Sequence, residues 1–184
     1  RILSNLFSDT EMVIFNRCTE EMDLHSYRRT IRGLNQRAMI YFEDDQGNPV
    51  DPGMDQPPYD LNADVIRIED MDYGLWYLDV SENPKRYEGK KVRFRAKVMK
   101  SRRFDADTFV PGRNAMTCCE NDIRFVGYVC RGKFAVDLKA RQWIWLTARI
   151  QYEYAKEYGD KGPVLHALSY ELTGAPETDT VYFN

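Results

Sequence analysis

The second half of this sequence is patterned with short runs in which apolar and polar residues alternate. In the clearest run, apolar residues are separated by basic ones: Val92, Phe94, Ala96 and Val98 alternate with Arg93, Arg95 and Lys97. Such alternation buries one face of a β-strand and leaves the other in solvent. Further strands, rich in aromatic and β-branched residues, are predicted at residues 125–130, 143–152 and 164–172. Because little helix is predicted among them, residues 79–184 are expected to form a small antiparallel β-barrel of OB type.

The first block, residues 1–45, follows a different pattern. Residues 12–15 form a short apolar run that is typical of a strand buried on both faces. In residues 24–35 the apolar side chains recur at helical spacing, with Asp23 as the N-cap. Residues 38–42 then predict a second buried strand, which completes a βαβ unit of a parallel sheet. One such unit cannot cover both faces of its strands, so we expect the missing strands to come from another segment or another chain.

A connection rich in proline and glycine, residues 46–78, separates the two blocks. The density of these residues predicts an irregular course, with one further strand around Val65, Ile66 and Ile68. The acidic run at residues 69–72 is interpreted as a capped or solvated turn. The predicted fold class is therefore α+β: a small antiparallel OB-like β-barrel preceded by a βαβ fragment of an α/β nucleotide-binding domain.

Composition narrows the classes of protein that fit. The 26 basic and 29 acidic residues give a net charge of -3, which argues against a nucleic-acid binder that depends on neutralising phosphates. No apolar run is long enough to span a membrane and no signal peptide opens the sequence, so membrane insertion is not expected. Four cysteines in such a sequence favour a reducing, cytoplasmic compartment. The opening at Arg1 rather than at Met suggests a fragment.

A cluster of thiols is the strongest candidate site. Cys118, Cys119 and Cys130 supply the soft ligands that zinc prefers, and His166 would complete a tetrahedral shell. Adjacent residues of a strand point to opposite faces, so joint ligation by the first two cysteines predicts a loop or bulge, which the flanking polar residues make plausible. These flanking residues are Arg113, Asn114, Glu120, Asn121 and Asp122.

Other interpretations of the same cysteines stay open. Cys130 is equally well explained as a small core residue, and the adjacent pair as reduced thiols in a turn, a redox pair or a strained disulfide. Cys18 is interpreted as a loop residue, and His25 as a solvated one. The sequence contains no nucleophile-base-acid signature, no HExxH and no glycine-rich dinucleotide loop, so no catalytic residue is assigned.

The basic residues of the first barrel strand invite a second hypothesis. Arg93, Arg95 and Lys97 share one face, and Trp143 and Trp145 supply aromatic rings, as in barrels that bind single-stranded nucleic acid. Because the total charge is acidic, we favour a solvated outer face above a core that contains the aromatic residues.

The barrel block also resembles a bacterial domain best known from the soluble subunit of a two-component permease. The shared pattern comprises Asn83, Pro84, Tyr87, residues 89–92, Arg113, residues 116–119, Asp122, residues 126–128, 143–144 and 181–183. The resemblance implies a barrel fold, a site at the cysteine pair and a permease subunit as a partner.

The first block resembles the end of the nucleotide-binding domain of CobW-type P-loop GTPases, a group of metal chaperones. There a buried strand ends in Asn-Lys-x-Asp, which reads the guanine base; here it ends in Asn16, Arg17, Cys18 and Thr19. The following helix of that group carries a run similar to residues 31–40. The resemblance implies a nucleotide site at Asn16, Arg17 and Thr19. Because the G-x-x-x-x-G-K-[ST] loop is absent from the sequence, GTP is expected only in an intact, longer protein.

Together these patterns predict a cytoplasmic metal-handling accessory protein, the C-terminal part of a GTPase-type metallochaperone whose barrel binds zinc or a similar ion for a client metalloprotein. The alternative is a metal-independent OB-type module that binds a protein partner, such as a permease subunit, or a single-stranded nucleic acid.

Overall fold

The structure is a computed structural model that describes residues 6–7, 9–53, 55–117 and 123–183. A parallel βαβ unit comes first, and a mostly antiparallel sheet with short helices follows. The predicted α+β class is therefore confirmed.

The βαβ unit consists of strand β1 (Met12–Phe15), helix α1 (Leu24–Leu34) and strand β2 (Met39–Phe42). The two strands pair in parallel, as predicted. The Asp23 carboxylate caps α1 by accepting a hydrogen bond of 3.0 Å from the Ser26 amide. At the other end, the Asn35 amide donates to the Ile31 carbonyl at 2.7 Å and closes the last turn.

The two faces of this small sheet differ. Residues of one face, Val13, Phe15, Ile40 and Phe42, pack into the clusters that also contain α1 residues. On the other face Met12, Ile14, Met39 and Tyr41 are 45–52% exposed. The prediction that these strands are buried on both faces is wrong for the part of the chain that the structure describes, because no described element covers the second face.

The connection between the blocks contains more regular structure than its composition suggests. Strand β3 (Ile66–Arg67) pairs in parallel with the first strand of the large sheet. A 3-10 turn (Asp70–Asp72) leads into helix α2 (Tyr73–Glu82), and helix α3 (Pro84–Tyr87) follows. Sequence analysis missed α2, and the boundary drawn between residues 78 and 79 falls inside it.

The large sheet is built from seven longer or shorter strands among the described residues, besides β3. These are β4 (Lys91–Met99), β5 (Thr108–Met116), β6 (Arg124–Gly127), β7 (Cys130–Arg131), β8 (Trp143–Ala155), β9 (Asp160–Thr173) and β10 (Thr180–Tyr182). A 3-10 helix, Lys133–Asp137, lies between β7 and β8.

The pairing of these strands forms a circuit. Strand β4 is antiparallel to both β5 and β8, β8 is antiparallel to β9, β9 is parallel to β7, and β7 is antiparallel to β5. Strand β6 pairs with β5, and β10 runs parallel to β5 beyond the point where β4 leaves it. Strand β5 was missed, so Arg113 and Asn114 lie in a strand and not in the predicted loop.

Helix α2 forms part of the core of the large sheet. Trp76 is fully buried, with its ring 4.7 Å from that of Phe94 and edge-on to Tyr128 at 5.9 Å. Such aromatic pairs add to the free energy gained by burying apolar area. Every helix in the described residues is too short or too polar to cross a lipid bilayer.

The close approach of α2 to β10 depends on Gly74. A Cβ atom built there would overlap the backbone carbonyl of Tyr182. We expect Gly74→Ala to lower the free energy of unfolding by about 1–3 kcal/mol, because the helix or the strand must move to relieve the overlap. The measurement is urea unfolding followed by tryptophan fluorescence.

Gly174→Ala is the matched control, since nothing lies within 4 Å of a Cβ atom at that position. Equal stability of the two variants would contradict the packing described for α2.

Candidate functional site

The adjacent cysteines, Cys118 and Cys119, lie outside the described residues, but the strands on either side of them are described. Strands β5 and β6 are antiparallel, and their last pair is Ala115 with Arg124. The segment that carries the two thiols therefore leaves and re-enters the sheet at neighbouring positions.

Both ends of this segment contact helix α1. The Arg124 guanidinium donates to the carbonyl of Gly33, and a Cβ atom at Gly33 would lie 3.1 Å from the Thr117 side chain. Phe183 reaches the same glycine, 2.7 Å from that Cβ position. Because the helix carries no side chain there, its last turn can approach the start and the end of the cysteine segment closely.

Cys130 lies in the core. It pairs with Phe109 on one side and Leu165 on the other, and it is fully buried. Burial raises the pKa of the Cys130 thiol well above its usual range, and a backbone hydrogen bond involving Ala167 offsets only part of this. The thiol is therefore protonated at neutral pH, and it is the thiolate that binds metals.

His166 lies on the opposite face of the sheet. Its backbone partner is Arg131, and its Nε2 atom is 3.1 Å from Glu153 Oε1. Paired residues of neighbouring strands project to the same face, so Cys130 points inward with Leu165 while His166 points outward with Arg131. The structure thus does not bring Cys130 and His166 together. Within the described ranges, no three His, Cys, Asp or Glu side chains are arranged to hold a metal ion.

The nucleotide-site candidates lie at the carboxyl end of β1. Asn16, Arg17 and Thr19 are exposed, and Arg17 has a left-handed backbone (φ 57°). Cys18 between them is buried; its amide donates to the Glu43 carbonyl at 2.8 Å and its thiol to Phe15 at 3.3 Å.

A cavity of about 560 Å³ opens at this strand end. Its walls include Cys18, Thr19, His25, Asp44 and Asp51, whereas Asn16 and Arg17 do not line it. The carboxyl edge of parallel strands is where open α/β sheets bind ligands. Of the three predicted nucleotide residues, Thr19 alone lines this cavity.

Comparison with known proteins identifies the second block. Residues 50–183 match the model of the DUF1980 C-terminal domain. The chain belongs to the DUF1980 C-terminal domain family. None of the curated proteins compared with the chain matches it.

Solved structures align with this chain at low TM-score and low sequence identity. A protein described as an aspartyl-tRNA synthetase from Leishmania major Friedlin aligns at TM-score 0.34 and 10% identity, over 68% of this chain and 22% of its own. The aspartyl-tRNA synthetase of Entamoeba histolytica aligns at 0.33 and 13%, over 68% and 28%. The mitochondrial single-stranded DNA binding protein Rim1 of S. cerevisiae aligns at 0.29 and 7%, over 46% and 95%. The chain thus spans about a quarter of each synthetase chain, and similarity at this level carries no functional inference.

Sequence reasoning missed a buried polar network in the DUF1980 C-terminal domain. Asp79 accepts hydrogen bonds from Asn83 at 2.6 Å, from Arg86 at 2.7 Å and from the Tyr87 hydroxyl. The Tyr59 and Tyr87 hydroxyls are 2.7 Å apart. Asn83 and Tyr87 belong to the residue pattern that signalled the domain, and in the structure both donate hydrogen bonds to Asp79.

Cations and aromatic rings cover one outer face of the DUF1980 C-terminal domain. The basic strand predicted the cations, but the preferred interpretation, which placed Trp143 and Trp145 in the core, is wrong. The Arg95 guanidinium lies 4.8 Å from the Trp145 ring, and the Lys97 ammonium 5.4 Å from Trp143. The tryptophans are half-buried beneath these cations rather than part of the core.

The cations of this face are paired within the chain. Glu171 pairs with Arg93 at 3.1 Å, Asp70 with Arg95 at 3.1 Å, and Asp179 with Lys97 at 2.8 Å. Arg113 is buried behind this face and pairs with Asp70 at 2.7 Å. The face is thus largely neutralised by its own carboxylates.

A buried and an exposed ion pair on this face should contribute differently to the free energy of unfolding. We expect Asp70→Asn to lower the free energy of unfolding by about 3–5 kcal/mol, because it leaves the Arg113 charge buried without its carboxylate. Glu171→Gln removes an exposed partner of Arg93 and should change it by about 0–1 kcal/mol. Chemical denaturation of both variants at neutral pH measures the difference, and equal losses would contradict the burial assigned to Arg113.

Burial also predicts the reactivity of the described thiols. In the variant Cys118→Ser/Cys119→Ser, Cys18 and Cys130 are the remaining cysteines, and both are buried and free. We expect an aromatic disulfide reagent to modify neither in the folded protein and both in denaturant, because only an accessible thiolate reacts. Rapid labelling of Cys130 in the folded state would show that β7 does not seal it in the core.

Proposed function

We propose that this chain is a metal-handling accessory protein in which the segment that carries Cys118 and Cys119 takes up zinc or a similar thiophilic ion. The observation that carries the proposal is the double contact of Gly33. Thr117 and Arg124, on the two sides of the thiol segment, both meet this one residue of α1. A change in the thiol segment on metal uptake would therefore act on α1, the helix that follows the carboxyl end of β1.

Two adjacent thiolates form an incomplete ligand shell, which favours transfer of the ion over its storage. They offer two soft ligands, and a complete zinc shell needs four. Cys130 is held protonated in the core, and His166 faces away from it, so the described residues favour neither as a further ligand. We propose that the remaining ligands come from the same segment or from the client metalloprotein, which would receive the ion through an open coordination position.

The βαβ unit supplies the second half of the proposal. We infer that it is the end of the nucleotide-binding domain of a CobW-type metallochaperone, and that GTP binds only in an intact, longer protein. Support comes from the cavity at the carboxyl end of β1 and from the position of α1. This helix begins at Leu24, five residues after Thr19, and carries Gly33 in its last turn. A ligand that displaces its first turn would therefore also displace the contact with the thiol segment.

The proposal also covers the fold of the second block and the cellular compartment of the protein. The pairing circuit of β4, β5, β7, β9 and β8 supports an OB-like closed barrel. Cytoplasmic residence is proposed because thiolate ligands need a reducing compartment to stay free for metal.

The second candidate is a metal-independent OB-type module for a protein partner, such as a permease subunit, or for a single-stranded nucleic acid. The half-exposed tryptophans of the outer face favour a binding surface there. A protein partner fits better than a nucleic acid, because the carboxylates of Asp70, Asp179 and Glu171 already pair with the cations.

Metal content tests the proposal. We expect protein purified without added metal, or incubated with zinc and then desalted, to hold about one zinc ion per chain, and Cys118→Ser/Cys119→Ser to hold none. Zinc affinity should fall as the pH falls, because the thiols must lose their protons to bind. Elemental analysis and competition with a chelator dye provide the measurements.

Cys18→Ser is the matched control, since its thiol is buried in the βαβ unit and should leave zinc content unchanged. A His166→Gln variant separates a site confined to the thiol segment, which keeps its zinc, from the four-ligand site predicted from the sequence. Absence of zinc from the wild type after incubation, or retention of zinc by the double variant, would contradict the metal proposal and favour the metal-independent OB-type module.

A further inference from the structure

A second cavity, of about 420 Å³, lies between the βαβ unit and the DUF1980 C-terminal domain. One wall is the face of α1 that carries Arg28, Arg29 and Arg32, and the opposite wall is the end of α2. Gly53, Asp55, Pro57 and Tyr59 of the connection contribute to the lining, and Leu75 and Leu78 give it an apolar part. The volume is at the lower end of the range of about 300–1,000 Å³ found for small-molecule sites.

The arginine wall has more donors than the protein uses. Arg29 donates to Asp55 at 2.5 Å, but its Nε atom is buried without a hydrogen-bond partner. Arg28 makes no hydrogen bond or ion pair within the described residues; its guanidinium lies 5.8 Å from the centre of the Phe42 ring. Since a guanidinium carries five N–H donors in a rigid fork, these two side chains are left able to bind an oxyanion.

The carboxylates of the cavity are already engaged. Asp79 accepts the three hydrogen bonds described above, and Glu82 Oε1 lies 2.8 Å from Arg32 Nε. Burial raises the pKa of Glu82, although Arg32 and Arg28 act to lower it. The carboxylates of this wall form their ion pairs with Arg32 and Arg86, and Glu82 interacts with Arg28 only electrostatically. Their negative charges limit the additional anionic charge that the cavity accepts.

We propose that this cavity binds a small organic oxyanion, a carboxylate or a phosphate monoester, through Arg28 and Arg29. Guanidinium groups bind both anions through paired, charge-assisted hydrogen bonds. The apolar residues Leu75 and Leu78 would contact the carbon skeleton of the ligand. Asp55 and Glu82 offset two of the three arginine charges of the lining, so the cavity has too little net positive charge to favour highly charged anions such as nucleoside triphosphates. The oxyanion proposal rests on other residues than the metal proposal.

The test is calorimetric titration of the purified chain with inorganic phosphate and, separately, with succinate, at constant ionic strength maintained with chloride. Saturable binding of at least one of them, with a rise in Tm, is expected for the wild type. Arg28→Gln should weaken the binding about tenfold or more, since it removes the free fork. Arg28→Lys, which keeps the charge without the fork, should recover only part of it.

Arg102→Gln serves as the control, because Arg102 is an exposed arginine of the β4–β5 connection and does not line the cavity. Binding of phosphate alone assigns a phosphate ligand, and binding of succinate alone assigns a carboxylate ligand. Absence of saturable binding of either anion, or equal affinity of the wild type and Arg28→Gln, overturns the proposal. Circular dichroism of each variant establishes that a lost signal is not lost folding.

Discussion

The buried guanidinium of Arg113 is the constraint around which the rest of the chain is arranged. A charge that is 1% exposed is tolerated only when its donors are all occupied. Asp70 provides the carboxylate at 2.7 Å, Thr178 provides a carbonyl at 2.8 Å, and the Trp143 ring lies 5.2 Å away. These partners come from the turn before α2, the C-terminal segment and β8. One side chain of β5 thus draws together three parts of the chain that are distant in sequence.

This arrangement extends to the contact with the βαβ unit. Because the segment before β10 is tied to Arg113, β10 runs beside β5 where β4 has left it. The same course brings Phe183 to Gly33, next to Thr117. The position of α1 against the thiol segment therefore depends on the packing of the DUF1980 C-terminal domain as well as on the absence of a side chain at Gly33.

The sequence predicts a helix or strand correctly where apolar residues recur with the period of that element. Helix α1 was predicted with its Asp23 cap, and β4 with its alternation, because each has one buried and one exposed face. Helix α2 is apolar around most of its circumference, since it is enclosed by the core, and so it has no amphipathic period. Strand β5 carries Pro111, Gly112 and Arg113 in succession, which interrupts any strand pattern. The separation of Cys130 from His166 depends on the pairing of β7 with β9, and a strand of two residues is too short to show an alternation that predicts it.

Both proposed ligands would act on the same helix. An oxyanion bound by Arg28 and Arg29 would hold the middle of α1 against α2, whereas an ion on the thiol segment would act at Gly33, in the last turn of α1. If the oxyanion favours one position of α1, it changes the affinity for the ion by the ratio of its own affinities for the two positions, and the ion changes oxyanion affinity by the same factor. If α1 moves as one rigid element, the two affinities are coupled unless the oxyanion or the ion binds equally well at both positions of the helix. The arginine cavity would then link metal release to the level of a small metabolite, independently of any nucleotide at the end of β1.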